Sequence, residues 1–133
     1  MLKKLLIANR GEIAIRIAQA AAELGIATAG LHSEDDSTSL HVRRVDEALA
    51  LKGKGAAAYL DIAGVVDAAR KAGCDAVHPG YGFLSENADL AQACADAKAT
   101  FVGPTPKLLR LFGDKARARA QAQECKVPVL PGT

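Results

Sequence analysis

Short aliphatic segments alternate with helical segments along nearly the whole chain, and this alternation limits the possible folds more than any other feature. The segment from Leu2 to Ala8 is apolar without strict alternation, which is typical of a strand buried on both faces of a parallel sheet. Further strands are predicted at residues 26–32, 45–51, 75–78 and 100–102, and helices at 13–24, 39–44, 61–71, 86–97, 106–112 and 114–125. This order predicts a doubly wound, Rossmann-like α/β domain with three layers (α/β/α) and a mainly parallel sheet.

The first helix shows the clearest separation of apolar and polar sides. Its predicted core-facing stripe consists of Ile13, Ile17, Ala20 and Leu24. The opposite, polar side carries Arg16, Gln19 and Glu23. Gly25 follows where a left-handed residue is needed to end a helix, so the predicted helix stops there.

Composition removes several functional classes. The chain has 17 Lys and Arg against 15 Asp and Glu, with two Tyr, three Phe and no Trp, so neither a basic face nor a base-stacking platform for nucleic acid is expected. No apolar run approaches the roughly 20 residues of a membrane span, and the N-terminus lacks the pattern of a secretory signal. The three cysteines show no disulfide or zinc spacing, so a reducing cytoplasm is the expected setting.

The turn after the first predicted strand, Asn9-Arg10-Gly11, contains a single glycine. A dinucleotide fingerprint needs several spaced glycines, and a phosphate loop of a nucleoside triphosphatase ends in Lys-Ser or Lys-Thr. The turn therefore gives little support to NAD binding. A tight turn with Asn9 as a local cap and a turn that contacts an anionic ligand at the helix start both remain open.

The segment His78-Pro79-Gly80-Tyr81-Gly82-Phe83 is the most unusual in the sequence. It directly follows a predicted strand, at the sheet edge where ligands of open α/β folds bind. Glycines let a ligand approach the backbone, and a tyrosine offers a flat face and a hydroxyl group. We therefore expect Tyr81 and Gly82 to contact a ligand, Phe83 to pack in the core and Ser85 to cap the next helix.

No catalytic residue and no metal site are predicted from this sequence. The three histidines, His32, His41 and His78, have no established metal-ligand spacing, and no nucleophile motif or acid/base carboxylate pair is present. Asp114 can cap the last helix. Lys115, the next residue, gains nothing from the positive helix end, so it is either solvated or aimed at an anion.

Taken together, these motifs resemble the start of biotin carboxylase. The resemblance covers Lys4–Ala14, the eleven residues HPGYGFLSENA at 78–88, Phe101-Val102-Gly103-Pro104, Gly113-Asp114-Lys115 and Pro131-Gly132-Thr133. It implies the α/β domain that precedes an ATP-grasp domain, the pre-ATP-grasp type. Residues 1–112 would form this domain, and residues 113–133 a helix and extended linker to an ATP-grasp domain absent from this chain.

The resemblance also implies roles for individual residues. Lys115 matches a lysine that contacts the phosphates of ATP. Tyr81 and Gly82 match a loop that lies against biotin, and Glu86 matches a polar residue near that site. The dimer-interface positions of the family fall on Arg16, Gln19 and Glu23, where Gln19 replaces an arginine of some members.

The implied activity is that of a ligase. ATP activates bicarbonate as carboxyphosphate, and the ureido nitrogen of biotin is then carboxylated, in an acetyl-CoA, acyl-CoA or pyruvate carboxylase, the first of which serves fatty acid biosynthesis. ATP, Mg²⁺, bicarbonate and a biotin carrier domain would be cofactors and partners of a homodimeric parent enzyme. This chain alone is expected to be inactive. Two alternatives are a non-catalytic assembly module and an independent small nucleotide binder.

Overall fold

The fold is built on one parallel sheet. The computed structural model describes residues 2–113 and 115–126, with side chains described at all of these except residues 115–118. In this part of the chain, five strands lie in the order β3-β2-β1-β4-β5, and every neighbouring pair is parallel. The strands are β1 (Lys4–Ile7), β2 (Ala27–His32), β3 (Glu47–Ala50), β4 (Ala76–His78) and β5 (Thr100–Phe101). The expected mainly parallel α/β fold is confirmed.

The helices connect these strands and cover both faces of the sheet. They are α1 (Gly11–Glu23), α2 (Leu40–Arg43), α3 (Ile62–Ala72), α4 (Ala88–Asp96), α5 (Pro106–Gly113) and α6 (Lys115–Glu124). A 3₁₀ turn at Ala56–Leu60 precedes α3. Asp61 accepts a hydrogen bond from the Gly64 amide and so caps α3, which ends at Gly73 in the left-handed region.

Alternate residues of the central strand supply two separate cores. Leu6 packs on one side of the sheet with buried residues of α3 and α4. Leu5 and Ile7 pack on the other side with the buried residues of α1. Because both faces of β1 are covered, its sequence is a continuous apolar run without polar alternation. The three layers predicted from the sequence are therefore present.

The predicted core-facing stripe of α1 is partly wrong. The buried residues of this helix are Ala14, Ile17, Ala18 and Ala21. Ala20 is exposed and Leu24 is 68% exposed. The true stripe follows the spacing i, i+3, i+4 and i+7, and three of its four residues are alanine. The predicted stripe contains the larger aliphatic residues Ile13 and Leu24, which lie beside the buried one.

The predicted start of α4 is also wrong. Asn87 caps this helix by accepting a hydrogen bond from the Leu90 amide at 3.0 Å. The backbone before it turns twice, with Ser85 N donating to Gly82 O and Asn87 N donating to Leu84 O. These turns keep Ser85 outside the helix, so it is not the cap.

The C-terminal part differs in packing from the rest. No residue of α5 is buried, and Leu108 and Phe112 are exposed apolar residues on it. The expectations for Asp114 as a cap and for an extended tail at residues 127–133 lie outside the described residues. Among the residues that the structure describes, no helix combines the length and apolar character needed to cross a membrane.

Candidate functional site

The candidate site lies where the strand order of the sheet reverses. β1 has β2 on one side and β4 on the other, and Ile7 of β1 is in register with His78 of β4. The chain continues from β1 into α1, and from β4 into the loop that leads to α4. In open α/β sheets a crevice forms outside the carboxyl ends of the strands at such a switch point, and ligands bind in it.

The loop after β4 presents Tyr81 to solvent. Its side chain is 71% exposed, and Gly82 beside it is exposed as well. Gly82 has φ of +69°, and a Cβ added to it would meet no atom within 4 Å. The backbone thus requires glycine for its conformation, and the space in front of Gly82 is open to a ligand.

The buried side chain of Asn9 is hydrogen-bonded to the backbone of this loop. Its side chain is 2% exposed, and Nδ2 donates to the carbonyl oxygens of Pro79 and Tyr81, both at 2.8 Å. Its Oδ1 accepts from the Arg10 amide at 2.8 Å. Gly80 packs directly over it, because an added Cβ would lie 2.6 Å from Nδ2. Asn9 is therefore not the cap of α1, whose N-cap residue is Arg10 with no side-chain cap bond. It makes one local hydrogen bond in the turn and two long-range bonds to the Tyr81 loop.

Phe83 provides a second, apolar attachment for the loop. Its ring centroid lies 5.3 Å from that of buried Tyr59, with an interplanar angle of 43°. Its backbone has φ of +46°, a conformation that non-glycine residues seldom adopt. The expected packing of Phe83 against the core is confirmed.

Tyr59 in turn belongs to a buried polar network around Asp36. The Asp36 carboxylate accepts two hydrogen bonds from Arg10, at 2.7 and 3.0 Å, and one from the Tyr59 hydroxyl at 2.7 Å. Ser39 also donates to it. The Arg10 guanidinium, which contributes most, and the Ser39 and Tyr59 hydroxyl donors hold the pKa of Asp36 well below its usual range, although burial of the carboxylate acts in the opposite direction. Burial and the neighbouring carboxylate raise the pKa of Tyr59 to about 12.

This network joins two turns at the carboxyl edge of the sheet. Arg10 follows β1 and Asp36 follows β2, so the bidentate pair fixes the β1–α1 turn against its neighbour. The Arg10 side chain is 47% exposed while that of Asp36 is 10% exposed. The carboxylate is thus fully engaged, and one side of the guanidinium faces solvent.

Two histidines and two cysteines are buried or half-buried among structural residues. His41 is buried, with Nε2 2.9 Å from the Leu31 carbonyl oxygen. His78 is half-buried and Nδ1 accepts from the Gly80 amide at 3.0 Å, while burial lowers its pKa. Burial raises the pKa of the Cys74 and Cys94 thiols to about 11. Among the described residues, no three His, Cys, Asp or Glu side chains gather to hold a metal ion.

The remaining predicted site residues lie in separate places. Glu86 is exposed at the end of the Tyr81 loop, just before α4. The three polar residues of α1 are exposed on the side away from the sheet, namely Arg16, Gln19 and Glu23. Lys115 is the first residue of α6, and its expected contact with an anion lies outside the described side chains.

Asn9, Arg10, Asp36 and Tyr59 carry the geometry of the site, and sequence reasoning assigned none of them to it. The contact from Asn9 to Pro79 spans 70 residues, and the one from Tyr59 to Asp36 spans 23. The only local signal was the polar Asn-Arg pair directly after a buried strand. Such a pair indicates the edge of a sheet, but it does not show which distant residues the pair contacts.

Fold and loop together define a class: an open parallel α/β domain with an exposed loop at its switch point. A family model described as "Biotin carboxylase, N-terminal domain" matches residues 1–109. The chain belongs to the biotin carboxylase N-terminal domain family, as the sequence motifs had suggested.

Curated relatives with different names share this region. The chain is 53% identical over 135 residues to "Pyruvate carboxylase, mitochondrial" of Rattus norvegicus, covering 99% of this chain and 11% of that protein. It is 50% identical over 131 residues to "Biotin carboxylase" of a Nostoc species, covering 98% of this chain and 29% of that protein. The chain therefore spans only a small part of the relatives it matches.

Solved structures give the same result for the fold. A structure titled "Biotin Carboxylase domain of single-chain bacterial carboxylase" matches with a TM-score of 0.94 and 58% identity, over 98% of this chain and 31% of that one. A biotin carboxylase domain of a thermophilic 2-oxoglutarate carboxylase, bound to bicarbonate, matches with a TM-score of 0.96 and 44% identity, over 100% and 30%. The fold of this chain is thus that of the N-terminal part of biotin carboxylase domains.

Proposed function

We propose that this chain forms the N-terminal part of a biotin-dependent carboxylase and that its Tyr81–Gly82 loop makes one wall of the biotin site. The observation that carries the proposal is the exposure of Tyr81 and Gly82 at the switch point, on a loop attached to buried Asn9 and Tyr59. The open space beside Gly82 would let the flat ureido ring of biotin approach the backbone, and the Tyr81 ring would cover an apolar face.

The reaction proposed for the parent enzyme has two steps. A bicarbonate oxygen attacks the γ-phosphorus of ATP, which releases ADP and forms carboxyphosphate. The deprotonated ureido nitrogen of biotin then bonds to the carboxyl carbon, and inorganic phosphate leaves. Relatives named biotin carboxylase and pyruvate carboxylase support this assignment, since such names describe carboxyl transfer.

Within that reaction this region binds and positions substrates, and it carries no residue that we assign to the chemical steps. Lys115 would contact the phosphates of ATP, and Glu86 would lie near the biotin site. Magnesium, which neutralises phosphate charge during phosphoryl transfer, would be held by parts of the parent enzyme outside the described residues. We therefore expect the 133-residue chain to have no turnover by itself.

Assembly is the second role that we propose for this chain. Arg16, Gln19 and Glu23 form an exposed polar face on α1, and Leu24 at its end is an exposed apolar residue. A mixed face of this kind suits a contact between two copies of the parent enzyme. The chain can have both roles. If the domain takes no part in binding biotin, assembly is the role that we propose for it.

The carboxyl acceptor is proposed to be chosen outside this region. A relative named pyruvate carboxylase shares this region at 53% identity and a structure of a 2-oxoglutarate carboxylase domain shares it at 44%, so the domain is common to enzymes with different acceptors. An acetyl-CoA carboxylase of fatty acid biosynthesis is one such parent. The cytoplasmic location stays a prediction, since a relative named as mitochondrial also matches.

The test is carboxyl transfer by a protein that contains this region together with the regions that follow it in the relatives. With ATP, Mg²⁺ and radiolabelled bicarbonate, we expect acid-labile label on biotin, and none when ATP is omitted. The 133-residue chain alone should give no label and no bicarbonate-dependent ATP cleavage. A longer protein that cleaves ATP without labelling biotin would overturn the proposed function.

A further inference from the structure

We propose that Asn9 is the positioning residue of the Tyr81 loop, and that it sets the affinity for biotin without touching biotin. This inference rests on the proposed function and adds a residue to it. The side chain of Asn9 is buried, and both of its contacts to the loop are with backbone carbonyl groups. Asn9 therefore fixes the path of the loop whatever side chains the loop carries.

The chemistry of the contacts requires an amide at position 9. Two carbonyl oxygens, those of Pro79 and Tyr81, face one end of the side chain, so that end must be the NH₂ group. A backbone N–H, that of Arg10, faces the other end, so that end must be the oxygen. A carboxylate of the same shape would keep the second contact and set a negative charge against both carbonyl groups.

The loop needs such a restraint because its backbone lies in an unfavourable region. Gly80, Gly82 and Phe83 have φ values of +68°, +69° and +46°. Glycine tolerates this conformation, but its backbone freedom also allows the loop many other conformations. Asn9 donates hydrogen bonds to the carbonyl groups on both sides of Gly80, and these bonds select one conformation of the loop.

Asn9 is itself held in place. Through Oδ1 it bonds the amide of Arg10, and the Arg10 side chain is fixed to Asp36 by two hydrogen bonds. On the other side, Ala8 N donates to His78 O at 2.9 Å, which continues the pairing of β1 with β4 up to the residue before Asn9. The loop is thus positioned relative to the central strands of the sheet, β1 and β4.

The first experiment compares Asn9→Asp with Asn87→Asp in the longer carboxylase. Both variants change an amide to a carboxylate beside the Tyr81 loop. Asn87 uses only its oxygen, as the cap of α4, and aspartate keeps that bond. For Asn9→Asp we expect the KM for free biotin to rise about tenfold or more, since two hydrogen bonds are lost. ATP cleavage measured without biotin, and all constants of Asn87→Asp, should stay within about twofold.

The second experiment measures amide hydrogen exchange in the same proteins, and it does not depend on biotin. Amides of residues 80–85 should exchange about tenfold faster or more in Asn9→Asp, while those inside α1 and β1 keep their rates. Asn87→Asp should leave residues 80–85 unchanged. If the longer protein does not carboxylate biotin, the proposed function fails, and exchange still decides the role of Asn9.

Two further measurements serve if Asn9→Asp does not fold. Asn9→Ala removes the same donors without adding a charge, and it should show the same rise in KM and in exchange. In the unaltered protein, the Nδ2 protons of Asn9 should exchange slowly with solvent. Wild-type KM together with wild-type exchange of residues 80–85 in either folded variant, or rapid exchange of the Nδ2 protons, would overturn the assignment.

Discussion

The carboxyl edge of the sheet and helix α5 differ in how far their side chains are buried and bonded by other described residues of this chain. At the edge, the Asp36 carboxylate and the Asn9 amide are buried and bonded on every side. On α5, no residue is buried, and Phe112 is 58% exposed. Among the described residues, the polar side chains at this edge are therefore well satisfied, whereas α5 presents exposed apolar side chains.

This difference has a consequence for function. A loop that is fixed by its own domain can present Tyr81 before any ligand arrives, so little ordering is needed on binding. Exposed apolar side chains such as those of α5 are of the kind that contact neighbouring protein. The described residues thus include one loop that is fixed by buried contacts and one helix with exposed apolar side chains.

The largest contrast is expected from apolar truncations in the two regions. Leu90 of α4 is fully buried, and Leu90→Ala should lower the free energy of unfolding by about 2–5 kcal/mol. Phe112→Ala on α5 should change it by about 0.5 kcal/mol or less, because most of that side chain is already in water. Urea unfolding of both variants measures the contrast. Similar losses in the two would show that α5 is packed as firmly as α4.

A smaller contrast is expected from two aspartates. Asp36→Asn leaves Arg10 and Tyr59 with one acceptor oxygen in place of a carboxylate, and it should cost about 2 kcal/mol. Asp67 pairs with Lys71 on the surface of α3 at 3.0 Å, so Asp67→Asn should cost about 0.5 kcal/mol or less. Denaturant unfolding at neutral pH separates the two. Equal costs would contradict the buried network.

The dependence of stability on pH sharpens the same comparison. The pKa of Asp36 is lowered in the folded protein, mainly by its bonds with Arg10. Its contribution is therefore complete above the unfolded pKa of about 3.9, and it is lost as the pH falls through the folded pKa, at up to about 1.4 kcal/mol per pH unit. The stability difference between wild type and Asp36→Asn should be constant from pH 5 to 7 and shrink below pH 4. The His78 contribution is common to both proteins and cancels.

The smallest effect tests the start of α4. Asn87→Ala removes the side-chain cap and should cost about 1 kcal/mol. Ser85→Ala should be within about 0.5 kcal/mol of wild type, since Ser85 lies in the turn before the helix. Thermal unfolding of the two variants decides between the caps. A larger loss for Ser85→Ala would restore the cap that the sequence had suggested.

The sequence predicted local features of this molecule well and long-range polar contacts poorly. β1, the left-handed Gly25 and the Asp61 cap follow from apolar pattern and local chemistry, and all are present. The choice between Ser85 and Asn87 as cap depends on two tight turns that leave no pattern. The pairing of Asn9 with Pro79 and Tyr81 depends on β1 and β4 being neighbours, which a strand alternation alone does not determine.

The most direct test of the account is the kinetics of Tyr81→Ala in the longer carboxylase, with Tyr81→Phe as its matched control. We predict that Tyr81→Ala raises the KM for free biotin about tenfold or more, since a large aromatic contact is lost, and leaves biotin-free ATP cleavage unchanged. Tyr81→Phe, which keeps the ring, should lie much nearer to wild type. An unchanged KM for biotin in Tyr81→Ala would contradict the claim that this loop forms a wall of the biotin site.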